Sequence, residues 1–236
     1  MMIITTSWDD GDARDTRVAD LLTRYGMKGT FYVGRDYGEK RLTEDAIRTL
    51  AQTHEVGAHA LSHPDLPTLS REEKRAEIAG SKAWLESVLG KPVDMFCYPY
   101  GRFDAETEEV VREAGFIGAR SSQKTMGTVP TDPFALPVTT MAYRAPFGIV
   151  QKLTLPFMKE KLANREWEAL ARKKFEVVRE AGGVFHLWGH SWELDKFALW
   201  GSLESFLKEI AHQPDTRYLT NGELVDVIFS ERGTRE

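Results

Sequence analysis

Short runs rich in β-branched and aromatic residues alternate with longer amphipathic stretches along nearly the whole chain. Residues 3–8 (IITTSW), 29–34 (GTFYVG), 55–60 (EVGAHA), 95–99 (MFCYP), 116–121 (FIGARS), 184–189 (VFHLWG) and 217–220 (RYLT) predict strands. Several lack strict polar alternation, the pattern of strands covered on both faces. The segments between them read as helices with legible ends. From 70 to 90, Ser70 and Glu73 form a capping box, Ile78, Leu85 and Leu89 share a face, and Gly90 stops the helix ahead of Pro92. Asp104 caps a helix that turns Val110, Val111 and Ala114 inward and ends at Gly115. Asn164 is predicted to cap another, running through Trp167, Leu170 and Val178 to Gly182. Further helices fall at 13–25, 44–53, 202–211 and 222–230.

Strict strand–helix succession means a parallel sheet, and seven or so units favour an α/β fold closed into a seven-stranded TIM-like (β/α) barrel over an open doubly wound sheet. The exception is 122–163, rich in Pro, Thr and Gly with one strand near 136–142, which reads as a long connection over one barrel mouth. There is no repeat or low-complexity tract, so residues 1–236 are expected to form a single catalytic domain. In such folds chemistry gathers at the carboxyl ends of the strands. Position therefore selects Asp9 and Asp10 after strand one, His59 and His63 at the end of strand three, Tyr98 to Gly101 at strand four, Arg120 at strand five and His190 at the last long strand.

Composition narrows the function classes. The 236 residues are 42% hydrophobic and 28% charged, ordinary globular values, and the net charge of −5 argues against a nucleic-acid partner. A single cysteine, Cys97, excludes an internal disulfide and any multi-cysteine metal site. The opening MMIITTSW has neither the basic and apolar regions of a signal peptide nor a membrane span, so a cytoplasmic protein without membrane partners is expected. Oligomeric state is not legible.

Each candidate motif has a plain alternative. SWDDG (7–11) is by itself as readily a turn with an acidic helix cap. Two adjacent carboxylates titrate as a coupled pair unless a cation neutralises one, and a metal ion would resolve that conflict. HALSHPDL (59–66) puts three residues between His59 and His63, in a loop or a turn just before a helix, since Pro64 biases His63 away from helical angles. Two imidazoles and one carboxylate leave open positions on zinc or a similar divalent ion, the arrangement of a catalytic site, and the same set also suits an Fe(II) oxygenase. FCYPYG (96–101) is a buried strand ending in a proline turn, whose Tyr100 N–H would be placed to stabilise an oxyanion. In GGVFHLWGHSWELD (182–195) His186 lies within a strand and His190 near its mouth, which makes His190 the better general acid. Trp188 and Trp192 suit the core or an apolar wall against a sugar face.

Taken in order, these motifs resemble the polysaccharide deacetylase family, which includes chitin, peptidoglycan and nodulation-factor deacetylases. SWDDG is similar to the family's Thr-Phe-Asp-Asp-Gly, and HALSHPDL to its His-Ser-x-x-His-Pro-x-Leu; the likeness runs from about residue 3 to 225. The resemblance implies a distorted, incomplete barrel and metal-dependent removal of an acetyl group from an N-acetylated sugar. It assigns the catalytic base to Asp9, the metal to Asp10, His59 and His63, and an oxyanion contact to the Tyr100 backbone. Cys97 occupies the slot where the family often has an arginine that braces the base, leaving Arg120 or Arg144 as replacements. The family's orienting aspartate and tryptophan pair has no counterpart in the sequence, and Glu193 or Asp195 is expected to orient the late histidine instead, His190 rather than His186. The expected cofactor is zinc, with cobalt, nickel or iron as alternatives. The expected substrate is a carbohydrate or small-molecule amide. Rival readings are a hydrolase of cyclic imides, formamides or ureides, an iron oxygenase, and an inactive carbohydrate-binding module.

Overall fold

The strands are β1 (Met2–Trp8), β2 (Thr30–Val33), β3 (Glu55–Ala58), β4 (Met95–Cys97), β5 (Gly118–Lys124), β6 (Leu136–Val138), β7 (Thr140–Met141), β8 (Gly183–Gly189) and β9 (Thr216–Leu219). They come from a computed structural model that describes residues 1–143 and 156–229, with backbone alone for 156–166. Arg144 lies outside the described residues.

β1 is buried along its whole length because both of its edges are occupied. β8 pairs with it in parallel from Met2↔Gly183 to Trp8↔Gly189. On the other edge β9 covers the first half of β1 and β2 the last two residues. The sheet continues in parallel through β3, β4, β5 and β6, while β7 pairs with β8. Thr139 joins β6 to β7, donating its N–H to the His186 carbonyl at 2.9 Å and accepting the His186 N–H at 3.0 Å on its hydroxyl. Residues 136–141 thus bridge β5 to β8 and close the sheet on itself as a distorted (β/α) barrel. Each of the seven predicted strands is present, and the strand expected near 136–142 is split in two.

The helices are α1 (Asp15–Arg24), α2 (Glu44–Leu50), α3 (Arg71–Leu89), α4 (Ala105–Glu113), α5 (Pro156–Ala181), α6 (Ser191–Lys196), α7 (Trp200–Ile210) and α8 (Asn221–Phe229). The capping box of α3 forms as expected, with the Ser70 N–H donating to Glu73 Oε2 at 2.8 Å, and Gly90 ends the helix at φ 66°. Asp104 caps α4 through the Thr107 N–H at 2.8 Å. The predicted start at Asn164 is corrected: α5 begins at Pro156 and Asn164 lies inside it. Proline is tolerated at the first helical position, and Met158 to Ala163 are good helix formers, so the irregular connection is shorter than its composition suggested. Helix α6 was not expected, since SWELDK is too short to show a period. No helix among the described residues is long and apolar enough to cross a membrane.

Alternation along the strands sorts residues between the outer layer and the barrel interior. Ile4 and Trp8 join the core under the helices, whereas Thr5 and Ser7 turn inward, to Asn221 Oδ1 at 2.8 Å and His186 Nε2 at 2.9 Å. α8 plugs the amino end of the strands. Its Val225 packs with Tyr32, Met95, Cys97 and Leu136, and Asn221 donates to the Tyr32 hydroxyl at 2.8 Å. The opposite, carboxyl end opens on the largest of the cavities lined by the described residues.

At the plugged end, Glu55 accepts from Thr30 Oγ1 at 2.6 Å and the Gly222 N–H at 3.0 Å. Burial outweighs those bonds and pushes its carboxyl up to about 7. The folded protein therefore holds this proton more tightly than the unfolded chain. The associated stability is complete below the ordinary glutamate range and is lost as pH rises through about 7. Glu55→Gln should gain stability relative to wild type between about pH 5 and pH 8.5. Urea unfolding across that range checks this, and a constant difference would exclude it.

Candidate active site

Adjacent strand residues point to opposite faces, yet Asp9 and Asp10 meet in one site. Asp9 continues the β1 ladder, its N–H donating to the Gly189 carbonyl at 3.0 Å, so its side chain faces inward like those of Thr5 and Ser7. Asp10 then takes φ 79° and Gly11 φ 64°. Two successive left-handed residues swing the chain so that the second carboxylate returns to the same mouth. Aspartate tolerates that conformation. At Gly11 no other residue fits, because an added Cβ would lie 2.7 Å from Val33 Cγ1.

Asp10 Oδ1 lies 3.7 Å from His59 Nε2 and 3.7 Å from His63 Nε2. These separations are too long for hydrogen bonds. They suit donor atoms sharing one divalent ion, since two ligands each about 2.1 Å from a tetrahedral centre stand about 3.4 Å apart. His59 Nδ1 donates to the Cys97 carbonyl at 2.8 Å, which leaves its Nε2 lone pair facing Asp10. Burial holds His59 below its ordinary pKa and, with the His59 ring beside it, brings His63 to about 4. Both rings are thus neutral, as metal ligation requires. The loop carrying them has no helix, as Pro64 implied. Glu77 of α3 holds it by accepting the Leu61 and Ser62 N–H groups, each at 2.9 Å, and the Ser62 hydroxyl at 2.7 Å. His63 stacks on Tyr37, ring centroids 4.1 Å apart, and meets Tyr100 edge-on at 4.5 Å.

Asp9 is held differently. Arg120 Nη2 donates to Asp9 Oδ2, and both side chains are buried. Cys97 and Arg120 are direct partners across β4 and β5. The arginine that the third motif lacks at Cys97 is thus present one strand over at the same level. Burial would raise the Asp9 carboxyl, but the Arg120 charge, helped by His190, holds it below the usual range. Its other oxygen, Oδ1, is buried with no hydrogen-bond partner among the described residues. A second donor set, Asp9, His59 and Cys97, suits a metal poorly: Arg120 already neutralises Asp9, and burial pushes the Cys97 thiol far above its ordinary value.

His190 follows β8 and faces Asp10, with Nε2 3.9 Å from Oδ2. Its Nδ1 donates to Glu193 Oε2 at 2.8 Å. Burial would depress it, but that bond and the Asp9 and Asp10 charges raise it to about 9. Asp195 takes no part, being paired with Arg14 at 3.0 Å. His186 lies deeper, bonded to Ser7 and, at 3.0 Å, to the Pro137 carbonyl; burial brings its pKa to about 3 and fixes it as a neutral core residue. Trp192, read as core or sugar wall, instead donates Nε1 to Asp10 Oδ2 at 2.8 Å and steers the carboxylate. Tyr100 sits in the expected proline turn with φ 57° and an exposed ring. Gly101 is obligatory beside it, since an added Cβ would lie 1.9 Å from Ser122 Oγ. Sequence reasoning missed Glu77, whose only signal was its place on the inner turn of α3, and the Trp192–Asp10 bond.

Asp9, Asp10, His59, His63, Tyr100, Arg120, His190 and Trp192 line a cavity of about 840 Å3, with Trp188, Tyr143 and Met141 on its walls. The polysaccharide deacetylase family model matches residues 2–119. A chitin deacetylase from Pestalotiopsis sp is 33% identical over 97 residues, 40% of this chain and 33% of that protein. A peptidoglycan-N-acetylmuramic acid deacetylase from Bacillus subtilis is 32% identical over 108 residues, 44% of this chain and 22% of that protein. The matched region thus spans a third or less of these curated relatives. A Mycobacterium smegmatis structure, provisionally assigned as a polysaccharide deacetylase, superposes with a TM-score of 0.73 at 15% identity, covering 98% of this chain and 91% of that one. At that identity the likeness shows the fold.

Removing one member of a buried ion pair leaves the other charged and unpaired, at a cost of about 3–5 kcal/mol. Arg120→Met should destabilise the fold by that order. In the double variant Asp9→Asn/Arg120→Met the loss should be much smaller than the sum of the single losses. Chemical unfolding of all four proteins measures the coupling, and additive losses would contradict the pairing.

Proposed function

Because the chain belongs to the polysaccharide deacetylase family, we propose that it is a metal-dependent hydrolase that removes the acetyl group from an N-acetylated sugar or glycan precursor. The observation that carries this reading is the pairing of a complete ligand set with an independent base: Asp10, His59 and His63 face one point, while Asp9 beside them has one oxygen clamped by Arg120 and one free. An inactive binding module has no use for that second carboxylate, nor has an iron oxygenase. A cavity of about 840 Å3 suits a sugar better than a small ureide.

The three ligands offer two nitrogens and an oxygen, a set that suits zinc, with cobalt, nickel or iron as alternatives. A divalent ion held there supplies Lewis acidity, polarising the acyl carbonyl and activating water. Asp9 Oδ1 accepts the proton of the attacking water, and the Arg120 charge keeps Asp9 ionised for that role. The Tyr100 N–H, presented by its left-handed turn, donates to the oxyanion that develops on the carbonyl. His190, protonated at neutral pH and aimed by Glu193, gives its proton to the leaving nitrogen as the C–N bond breaks. Acetate and a free amine result.

Asp9→Asn should lower kcat by about 10²-fold or more while leaving metal content unchanged. His59→Ala should lose both metal and activity. Acetate release from a panel of N-acetyl sugars, with elemental analysis of the same preparations, tests both. Failure of the metal-loaded protein to release acetate, or full activity of Asp9→Asn, would refute the reading.

A further inference from the structure

The cavity that holds the acidic, metal-ligating mouth is cationic at its other end. Arg120, Ser122 and Lys124 occupy alternate positions of β5, and all three line it. At about 3.3 Å per residue, Lys124 stands on the order of 10 Å beyond the arginine that braces Asp9. From α5, Lys174 lines the same stretch and donates its Nζ to the Thr139 carbonyl at 2.5 Å, within the segment that closes the barrel. Asp9 and Asp10 are the only carboxylates among the described residues of the wall, and both serve the other end. Neither lysine forms an ion pair among the described residues. Burial and the Lys124 charge lower the Lys174 pKa, as two like charges do that pair with no acidic group among the described residues. In a chain of net charge −5, Lys124, exposed at the rim of the cavity, and Lys174, half-buried in its wall, place two ammonium groups at one end of it.

From this arrangement we infer that Lys124 and Lys174 form an anion subsite, and that the substrate is an N-acetylated sugar carrying an oxyanion, a phosphate ester or a carboxylate, about one sugar unit from the acetamido group. The inference rests on the hydrolase reading for what occupies the other end of the cavity. Met141, Tyr143 and Leu170 supply apolar wall for the sugar between the two ends. The oxyanion would replace the water that now solvates the two ammonium groups and relieve their mutual repulsion. The lysines touch the substrate but not the reacting atoms, so they set affinity and not the chemical step.

Titration calorimetry of the metal-loaded protein with N-acetylglucosamine, N-acetylglucosamine 6-phosphate and a disaccharide of N-acetylglucosamine and glucuronic acid, the last two holding their charge about a sugar ring away from the acetamido group, tests the subsite. At least one anionic sugar should bind about tenfold or more tightly than the neutral one. That advantage should shrink between low and high salt and vanish in Lys124→Met/Lys174→Met, while Lys124→Arg/Lys174→Arg keeps it. Which anionic sugar is preferred separates phosphate from carboxylate. Equal affinity for neutral and anionic sugars, no binding of either anionic sugar, or an advantage that survives in the methionine variant, as direct ligation of phosphate by the metal would give, overturns the inference. Acetate release measured on the same samples reports on the hydrolase reading separately: selective binding without release refutes that reading and keeps the subsite, and release without selectivity does the reverse.

Discussion

A guanidinium and a carboxylate locked together inside the barrel fix everything at its mouth. Arg120 and Asp9 are 1% and 3% exposed, and neither charge would be tolerated there alone. Together they form one neutral, directional unit. The pair removes Asp9 from competition for a cation: one of its oxygens is spent on Arg120, and its charge is already balanced. Asp10 has no guanidinium clamped to it; its cationic neighbour is the His190 ring, with Nε2 3.9 Å from Oδ2. Its Oδ2 is held by the Trp192 indole and its Oδ1 faces two neutral imidazoles. Two chemically identical side chains, one residue apart, therefore acquire different capacities from their neighbours.

That separation rests in turn on backbone geometry. Asp9 keeps the extended conformation of β1 and so inherits the inward direction of Thr5 and Ser7, while the left-handed pair Asp10 and Gly11 turns the next side chain back over the same opening. The crowding of Val33 against Gly11 makes the turn inseparable from its packing on β2. His59 has a comparable double constraint: its position comes from the end of β3, and its tautomer from the Cys97 carbonyl on β4. The Cys97 side chain makes no ion-pair brace for Asp9, but its backbone carbonyl orients the His59 ring.

The chain states much of this openly. Runs such as IITTSW and VFHLWG mark buried parallel strands, Ser70 with Glu73 and Gly90 bounds α3 correctly, and the rule that chemistry lies past the strand ends collects Asp9, Asp10, His59, His63, Arg120 and His190 at one mouth. What could not be read depends on lateral register or on long-range bonds. Choosing Arg120 as the brace requires knowing that it pairs with Cys97 across two strands, and no local pattern encodes strand register. Assigning Trp192 to Asp10 requires knowing that α6 exists, and six residues cannot display a helical period. The misplaced start of α5 has a different cause. The proline content of 122–163 suggests a connection, although at the first turn of a helix proline breaks nothing.

β5 also links the two ends of the cavity. Its pairing with β6 shifts register between Arg120 and Lys124, an irregularity of the kind that bends a strand and re-aims its side chains. Without it, the inward face would continue straight up the barrel wall. With it, the strand leaves the Arg120 level, where it holds Asp9, and delivers Ser122 and Lys124 along the cavity toward Lys174. A rigid strand anchored at one end by a buried ion pair holds the Lys124 backbone at a set distance from Asp9. Only the terminal side chain remains adjustable. Discrimination among substrates by the position of their charge would then follow from strand geometry, since an oxyanion too near the acetamido group would meet the carboxylates at the mouth and one too far would pass beyond the lysine pair.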